Sequence, residues 1–295
     1  MKKSRTVLPK LLQKSGILSL LSGLCLWLYY HPNNHEPKTT IEHGSSRNLI
    51  SLLPSINDGI LVQHAQITLS YSQKHKQAEW VAYELSKNKL SAKKLSRSGF
   101  SFIPDPKIAS ISALPSDYIG SGYDRGHLCP AADMAYDSIA LLETFYMSNI
   151  SPQSRAFNQG VWREIESKSR AWASTFGNIL VITGPILSKP GLESIGKNKV
   201  TAPIGFFKVL FVQEHQQAIG FIVPNQRNEK DPLQYAFHVD YLEEITNIDF
   251  FPNLPLETQS TIESRLDLSF WNNSSPQKNS RPYLHGAAQL TEEGD

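Results

Sequence analysis

The sequence predicts an α+β fold: a central, mostly antiparallel sheet with helices packed on it. Segments of strand composition stand before, between and after one long helical segment. Two pairs of these segments are joined by short polar turns, as in hairpins. No composition break divides residues 50 to 270, so they read as one domain.

The first strand is Ile60 to Ser72, rich in β-branched and apolar residues. Gln73 to Gln77 is a polar turn, and Glu79 to Leu85 is the returning strand. Ser86 to Ser98 is a basic connection, and Phe100 to Tyr118 is irregular because Pro104, Pro106 and Pro115 interrupt it. Asp137 to Thr144 reads as a short helix, and Phe145 to Ile150 as a strand that Pro152 ends. A helix begins near Ala156: Phe157, Val161, Trp162, Ile165, Trp172 and Phe176 recur mostly at three, four or seven residues. Gly177-Asn178 supplies its left-handed stop. Ile179 to Ile186 is a buried strand. Phe206 to Gln213 and Ala218 to Val223 form the second hairpin, and Val239 to Ile248 is a helix.

Composition sets limits on function. Hydrophobic residues make up 40% of the 295, which excludes a disordered chain and suffices for a full core. The net charge is only +2, but local charge decides nucleic-acid binding. Between Tyr71 and Lys107, eight basic residues face three acidic ones, a local excess of five. Cys25 and Cys129 are the only cysteines and Cys25 lies in an apolar segment, so a disulfide framework is not expected.

That apolar segment, Ile17 to Tyr30, follows Lys2, Lys3, Arg5, Lys10 and Lys14. A basic flank before an uncharged run is the form of an export signal, either cleaved or kept as a membrane anchor. Residues 1–48 are therefore expected to be signal or anchor plus polar linker, 49–272 the folded domain, and 273–295 a disordered tail. The domain is expected outside the cytoplasm: periplasmic, secreted, or tethered to the membrane by its N-terminal segment.

Two polar clusters carry the chemistry. Tyr123-Asp124-Arg125-Gly126-His127-Leu128 sets an acid, a guanidinium and an imidazole side by side. Asn158-Gln159-Gly160-Val161-Trp162-Arg163-Glu164-Ile165-Glu166 follows about thirty residues later. Hydrolysis of a phosphodiester needs a base for water, stabilisation of phosphate charge and stabilisation of the leaving oxygen. His127 is the natural base, because imidazole titrates near neutrality. Gly126 is expected to kink the backbone so that the ring enters a cleft, and backbone carbonyls such as that of Asn149 are candidates to fix the ring's tautomer. Asn158, Trp162 and Glu166 stand at i, i+4 and i+8, one face of a helix. Asn158 offers a hard neutral oxygen suited to Mg²⁺, Glu166 accepts hydrogen bonds from the ion's waters, and Trp162 packs between them. Cys129 near His127 does not make a zinc site, since no second ligand pair at zinc spacing accompanies it.

Asp124 to Leu128 resembles the signature of the DNA/RNA non-specific endonucleases, the ββα-metal (His-Me finger) nucleases. The likeness runs on through Tyr146 to Gln153 and Asn158 to Glu166, with weaker echoes in Ile182 to Pro185, Phe206 to Val209, Phe221 to Asn225 and Asp249 to Pro252. It implies the ββα-metal nuclease fold. It also implies a metal-dependent endonuclease, indifferent to sequence and sugar, that cuts DNA and RNA to leave 5′-phosphate ends. By that resemblance His127 is the general base and Asn158 the sole protein ligand of Mg²⁺, or of Mn²⁺ in its place. Glu166 orders the metal's waters, Arg125 and Arg97 hold and stabilise the phosphate, and Asn149 supports substrate binding. Lys93 and Lys94 are alternatives to Arg97, and Cys129-Pro130 departs from the small residues usual after the motif. A non-catalytic extracellular nucleic-acid-binding protein on the same scaffold is the alternative reading, and a phosphodiesterase for a nucleotide or lipid headgroup a third. The partners expected are DNA and RNA, and the membrane where the N-terminal segment is kept. A homodimer stays open.

Overall fold

A computed structural model describes residues 51–229 and 231–273. The signal or anchor segment and linker expected over 1–48, residues 49 and 50, and the tail from 274 onward lie outside the described residues. Strands β1 (Ile60–Gln63), β2 (Thr68–Ser72) and β3 (Gln77–Ser86) come first. Two short strands follow, β4 (Asp124–His127) and β5 (Ile150–Gln153), and then β6 (Asn178–Ile186), β7 (Ser194–Ile195), β8 (Val200–Thr201), β9 (Gly205–Val212), β10 (Gln217–Pro224) and β11 (Ala236–Phe237). The helices are α1 (Lys87–Ser91), α2 (Ala131–Met134), α3 (Ser138–Glu143), α4 (Arg155–Asn158), α5 (Val161–Phe176), α6 (Val239–Thr246), α7 (Leu256–Glu263) and α8 (Leu268–Asn273).

The main sheet has seven strands in the order β1-β2-β3-β6-β9-β10-β11, and every pairing in it is antiparallel. Both of its faces are covered, which explains why β6, β9 and β10 are apolar almost throughout. Val81, Tyr83, Ile179, Val181, Phe206, Leu210, Ile219 and Phe221 join one core with Val161, Trp162, Ile165 and Trp172 of α5. The alternate residues, among them Trp80, Ile182, Phe207, Phe211 and Ile222, join a second core with Val239 and Leu242 of α6 and Ile262 of α7. The sequence reading of an α+β fold with a mostly antiparallel sheet is borne out.

Three elements differ from expectation. Ile60 to Ser72 is not one strand but the hairpin β1–β2, with Ile60 opposite Tyr71 and Gln63 opposite Thr68. Its turn is closed by His64 N–H donating to the Ile67 carbonyl at 2.8 Å, and by the Glu143 carboxylate accepting from the Ala65 and Gln66 N–H groups. Phe145 to Ile150 is not a strand: Met147–Asn149 is a 3₁₀ turn, and the strand starts at Ile150. Pro152 lies within that strand, opposite Arg125. β5 pairs with β4 alone, so a residue lacking N–H is tolerated on its free side. The long helix is broken at Gln159-Gly160 into α4 and α5, because Gly160 leaves helical geometry at φ −100, ψ −126. The end of α5 is as expected, with Gly177 at φ +96.

Candidate active site

Strands β4 and β5 and the helical turn α4 form a small ββα unit beside the main sheet. β4 pairs antiparallel with β5, Gly126 facing Ser151 and His127 facing Ile150. Gly126 is absent from the residues with positive φ, so it does not kink the strand as expected. It is needed for space, since a Cβ there would overlap the Gln153 side chain. The turn after β5 is clamped by Asn225. Its Oδ1 accepts from Ser154 N–H at 2.8 Å, and its Nδ2 donates to the carbonyls of Pro152 and Pro203, each at 3.0 Å. Ser154 then caps α4 by accepting from Phe157 N–H.

His127 sits between two aromatic rings, with centroids 5.4 Å from both Phe102 and Phe145. The Arg125 guanidinium lies 5.1 Å from the Phe102 ring centre, and that of Arg97 5.7 Å from the Phe145 ring centre. Two exposed cations are thus held at the rim of the imidazole by its aromatic walls. Arg97, rather than Lys93 or Lys94, is the basic residue of the 71–107 stretch whose charge acts on His127. The ring is half-buried, but its Nε2 is enclosed with no hydrogen-bond partner. Burial, and then the Arg97 charge, lower the His127 pKa to about 3. The imidazole is therefore neutral at pH 7, and burial makes it a weak base in this structure.

Asn158 is the last residue of the single-turn helix α4. Its amide Nδ2 donates to Asp124 Oδ2 at 3.1 Å. A carboxylate only accepts, so this bond fixes which pole of the amide is which and leaves the Oδ1 oxygen unengaged by Asp124. Arg155 adds a loose ion pair to Asp124 at 3.6 Å. Glu166 is on α5, beside a buried charged cluster. Burial raises its pKa, Lys208 opposes that and Asp133 adds to it. Asp133 accepts from Arg170 and from the Tyr83 hydroxyl, at 2.8 and 2.9 Å. Lys208 is 1% exposed, its Nζ lies 4.7 Å from the centre of the Trp162 ring, and it has no hydrogen-bond partner.

The structure therefore brings Arg97 and Arg125 to His127, and Asn158 to the motif strand through Asp124. The break at Gly160 puts Asn158 on α4, while Trp162 and Glu166 are on α5, so the three do not share one continuous helix as expected. Trp162 is a packing residue, stacked on Phe157 at 5.0 Å and fully buried. Among the described residues no hydrogen bond joins His127 to Asn158 or to Glu166. Asn149 is corrected from a substrate contact to a structural brace. It is fully buried, and its side chain accepts from Cys129 N–H and donates to the Cys129 and Thr144 carbonyls, at 2.8 to 2.9 Å. Its carbonyl, a candidate to orient His127, accepts from Leu128 N–H instead. Sequence reasoning gave no role to Phe102, Phe145, Asp124, Lys208 or Asn225. Asp124, Lys208 and Asn225 stood inside quoted motifs. A neutral amide oxygen and a carboxylate are hard donors that fit Mg²⁺ or Mn²⁺ and would not select zinc.

A ββα unit carrying an imidazole and a tethered amide, with the guanidiniums of Arg125 and Arg97 beside the imidazole, is the layout of a phosphodiester-cutting enzyme class. The family model for DNA/RNA non-specific endonucleases matches residues 45–257, and the chain belongs to that family. Mitochondrial nuclease EXOG of Mus musculus is 34% identical over 206 residues, covering 63% of this chain and 55% of that protein. Mitochondrial endonuclease G of Bos taurus is 33% identical over 209 residues, 66% of this chain and 70% of that one. A nuclease of a Nostoc species is 31% identical over 226 residues, 71% of this chain and 80% of that one. The chain thus spans about half the length of the EXOG proteins it matches. In three dimensions it resembles a chain from a crystal structure of the EndoG/EndoGI complex, a study of EndoG inhibition, with TM-score 0.65 at 26% identity, covering 72% of this chain and 94% of that one. The ββα-metal nuclease fold expected from the motifs is borne out.

Proposed function

We propose that this protein is a metal-dependent endonuclease that hydrolyses DNA and RNA without regard to sequence or sugar and leaves 5′-phosphate ends. The observation that carries the reading is His127, a neutral imidazole walled by Phe102 and Phe145 with the cations of Arg97 and Arg125 at its rim. His127 takes a proton from the attacking water, and Arg97 and Arg125 engage the scissile phosphate and stabilise its charge. Asn158, aligned by Asp124, would hold Mg²⁺ or Mn²⁺ through its amide oxygen, and Glu166 would accept hydrogen bonds from surrounding waters. Such an ion supplies charge stabilisation for the leaving 3′ oxygen. Contacts to phosphate rather than to base edges account for the lack of sequence preference.

Incubating the purified full chain with plasmid DNA and with RNA, in MgCl₂ or in EDTA, tests this. Cleavage of both in MgCl₂ alone is expected, with ends that a ligase joins without prior phosphorylation. His127→Ala should lose at least 100-fold in cleavage while still shifting DNA in a gel. Intact nucleic acid in MgCl₂ would overturn the proposal, and a gel shift without cleavage by the unmodified chain would favour a binding protein. The charge pattern of residues 1–30 further supports export of the domain, which N-terminal sequencing of the exported product checks.

A further inference from the structure

On the face of the sheet opposite α5, helices α6 and α7 bring together Asp240, Glu243 and Glu263, one oxygen of each within 4.8 Å of the others. Three carboxylates this close repel one another. Glu243 has a partner, since its Oε1 accepts from Phe250 N–H at 2.8 Å. Glu263 is 6% exposed, and its Oε1 is buried with no hydrogen-bond partner. Among the described residues no basic side chain pairs with any of the three. A buried, unsatisfied carboxylate is costly, and either a proton or a cation relieves it.

We propose that Asp240, Glu243 and Glu263 form a calcium site that fastens α7 to α6, apart from the catalytic chemistry. The donors are all hard oxygens. Oxygens that share a Ca²⁺ at a Ca–O distance of about 2.4 Å stand at most about 4.8 Å apart, and one oxygen of each of the three carboxylates lies within that limit of the others. Ca²⁺ accepts irregular sets completed by water, and Asp240 is exposed, leaving the site open to solvent on that side. The groups facing Glu263 are Glu243 and Asp240 of α6 and Asp249 beyond it, and no described cation offsets them. Burial and these charges push the Glu263 pKa up to about 7. The site would hold α7 where Ile262 packs beside Val239 and Leu242.

The test uses the full chain stripped with chelator and then given CaCl₂ alone. At pH 7.5, a hundredfold excess over Kd should raise Tm by roughly 5–10 °C. Glu263→Gln should abolish that rise and leave plasmid cleavage in MgCl₂ intact, and Asp240→Asn should weaken calcium binding by about tenfold or more, measured calorimetrically. Asn158→Ala should keep the calcium response. The proposal fails if calcium leaves Tm unchanged at pH 7.5 or if Glu263→Gln responds like the unmodified chain. It fails also if the response is lost with Asn158→Ala instead, which would put the ion at β4. A chain without calcium response whose Tm rises with Glu263→Gln would show that the carboxylates share a proton instead.

Discussion

Asp124 settles which end of Asn158 is offered to a ligand, a matter that composition and spacing leave open. Removing it in Asp124→Ala frees the amide to turn. Cleavage should fall about 10- to 100-fold, with partial recovery at higher MgCl₂ and an unchanged circular dichroism spectrum. An unchanged MgCl₂ requirement would mean the 3.1 Å bond does not orient a ligand. Lys208 is the second residue whose weight emerges only in three dimensions. Burial favours neutral Glu166, and the Lys208 charge favours the carboxylate. Lys208→Met should raise the Glu166 pKa further, so that ionised Glu166 is present only at higher pH and the acid limb of kcat/KM moves up by about one unit. Thermal stability should fall too, and increasingly as pH rises, because a buried carboxylate loses its counter-charge as it ionises. A pH–rate profile that does not move would separate Lys208 from Glu166. The sequence names both ends of these pairs, yet partners 34 and 42 residues apart, like the burial of Asn149, are set by packing.

At the scale of elements, strong local signals were legible and tertiary ones were not. α5, β6 and the β9–β10 hairpin follow from apolar periodicity and from turn residues next to them in sequence. The β1–β2 turn lacks Gly, Pro, Asn and Asp, and is held by Glu143 from α3, which no local reading supplies. Likewise β5 starts at Ile150 because Tyr146 bridges to Ile103 and the next three residues turn. Gly126 carries the ββα unit's tightest requirement. Gly126→Ala should cost about 1–3 kcal/mol in urea unfolding, since the new methyl meets the Gln153 side chain. Adding Gln153→Ala should restore part of the loss beyond additivity, the mark of a steric pair. Equal and additive losses would place the strain in the backbone instead.

For the whole molecule, fold class and family were legible because two motifs keep their order and spacing, whereas the strand order and the two-sided burial of the sheet depend on pairings between distant segments. Charge behaves similarly. A net charge of +2 predicts weak attraction to nucleic acid, but the exposed segment from Ser91 to Arg97, with Lys93, Lys94 and Arg97, ends beside His127 and, on the proposed reading, concentrates positive charge where substrate would lie. If Lys93 and Lys94 contact phosphates, each releases a counterion, worth about 0.9 in the slope of log affinity against log salt on duplex DNA. Lys93→Ala with Lys94→Ala should therefore lower kcat/KM on plasmid more at 50 mM than at 200 mM NaCl, and flatten the slope by up to about 1.8. An Arg97→Ala chain should instead lose activity at every salt concentration, because Arg97 sits at the imidazole's rim and, on the proposed reading, would engage the scissile phosphate. Parallel salt dependences for the unmodified and Lys-substituted chains would remove the basic run from the substrate path and leave Arg97 and Arg125 as the cations that matter.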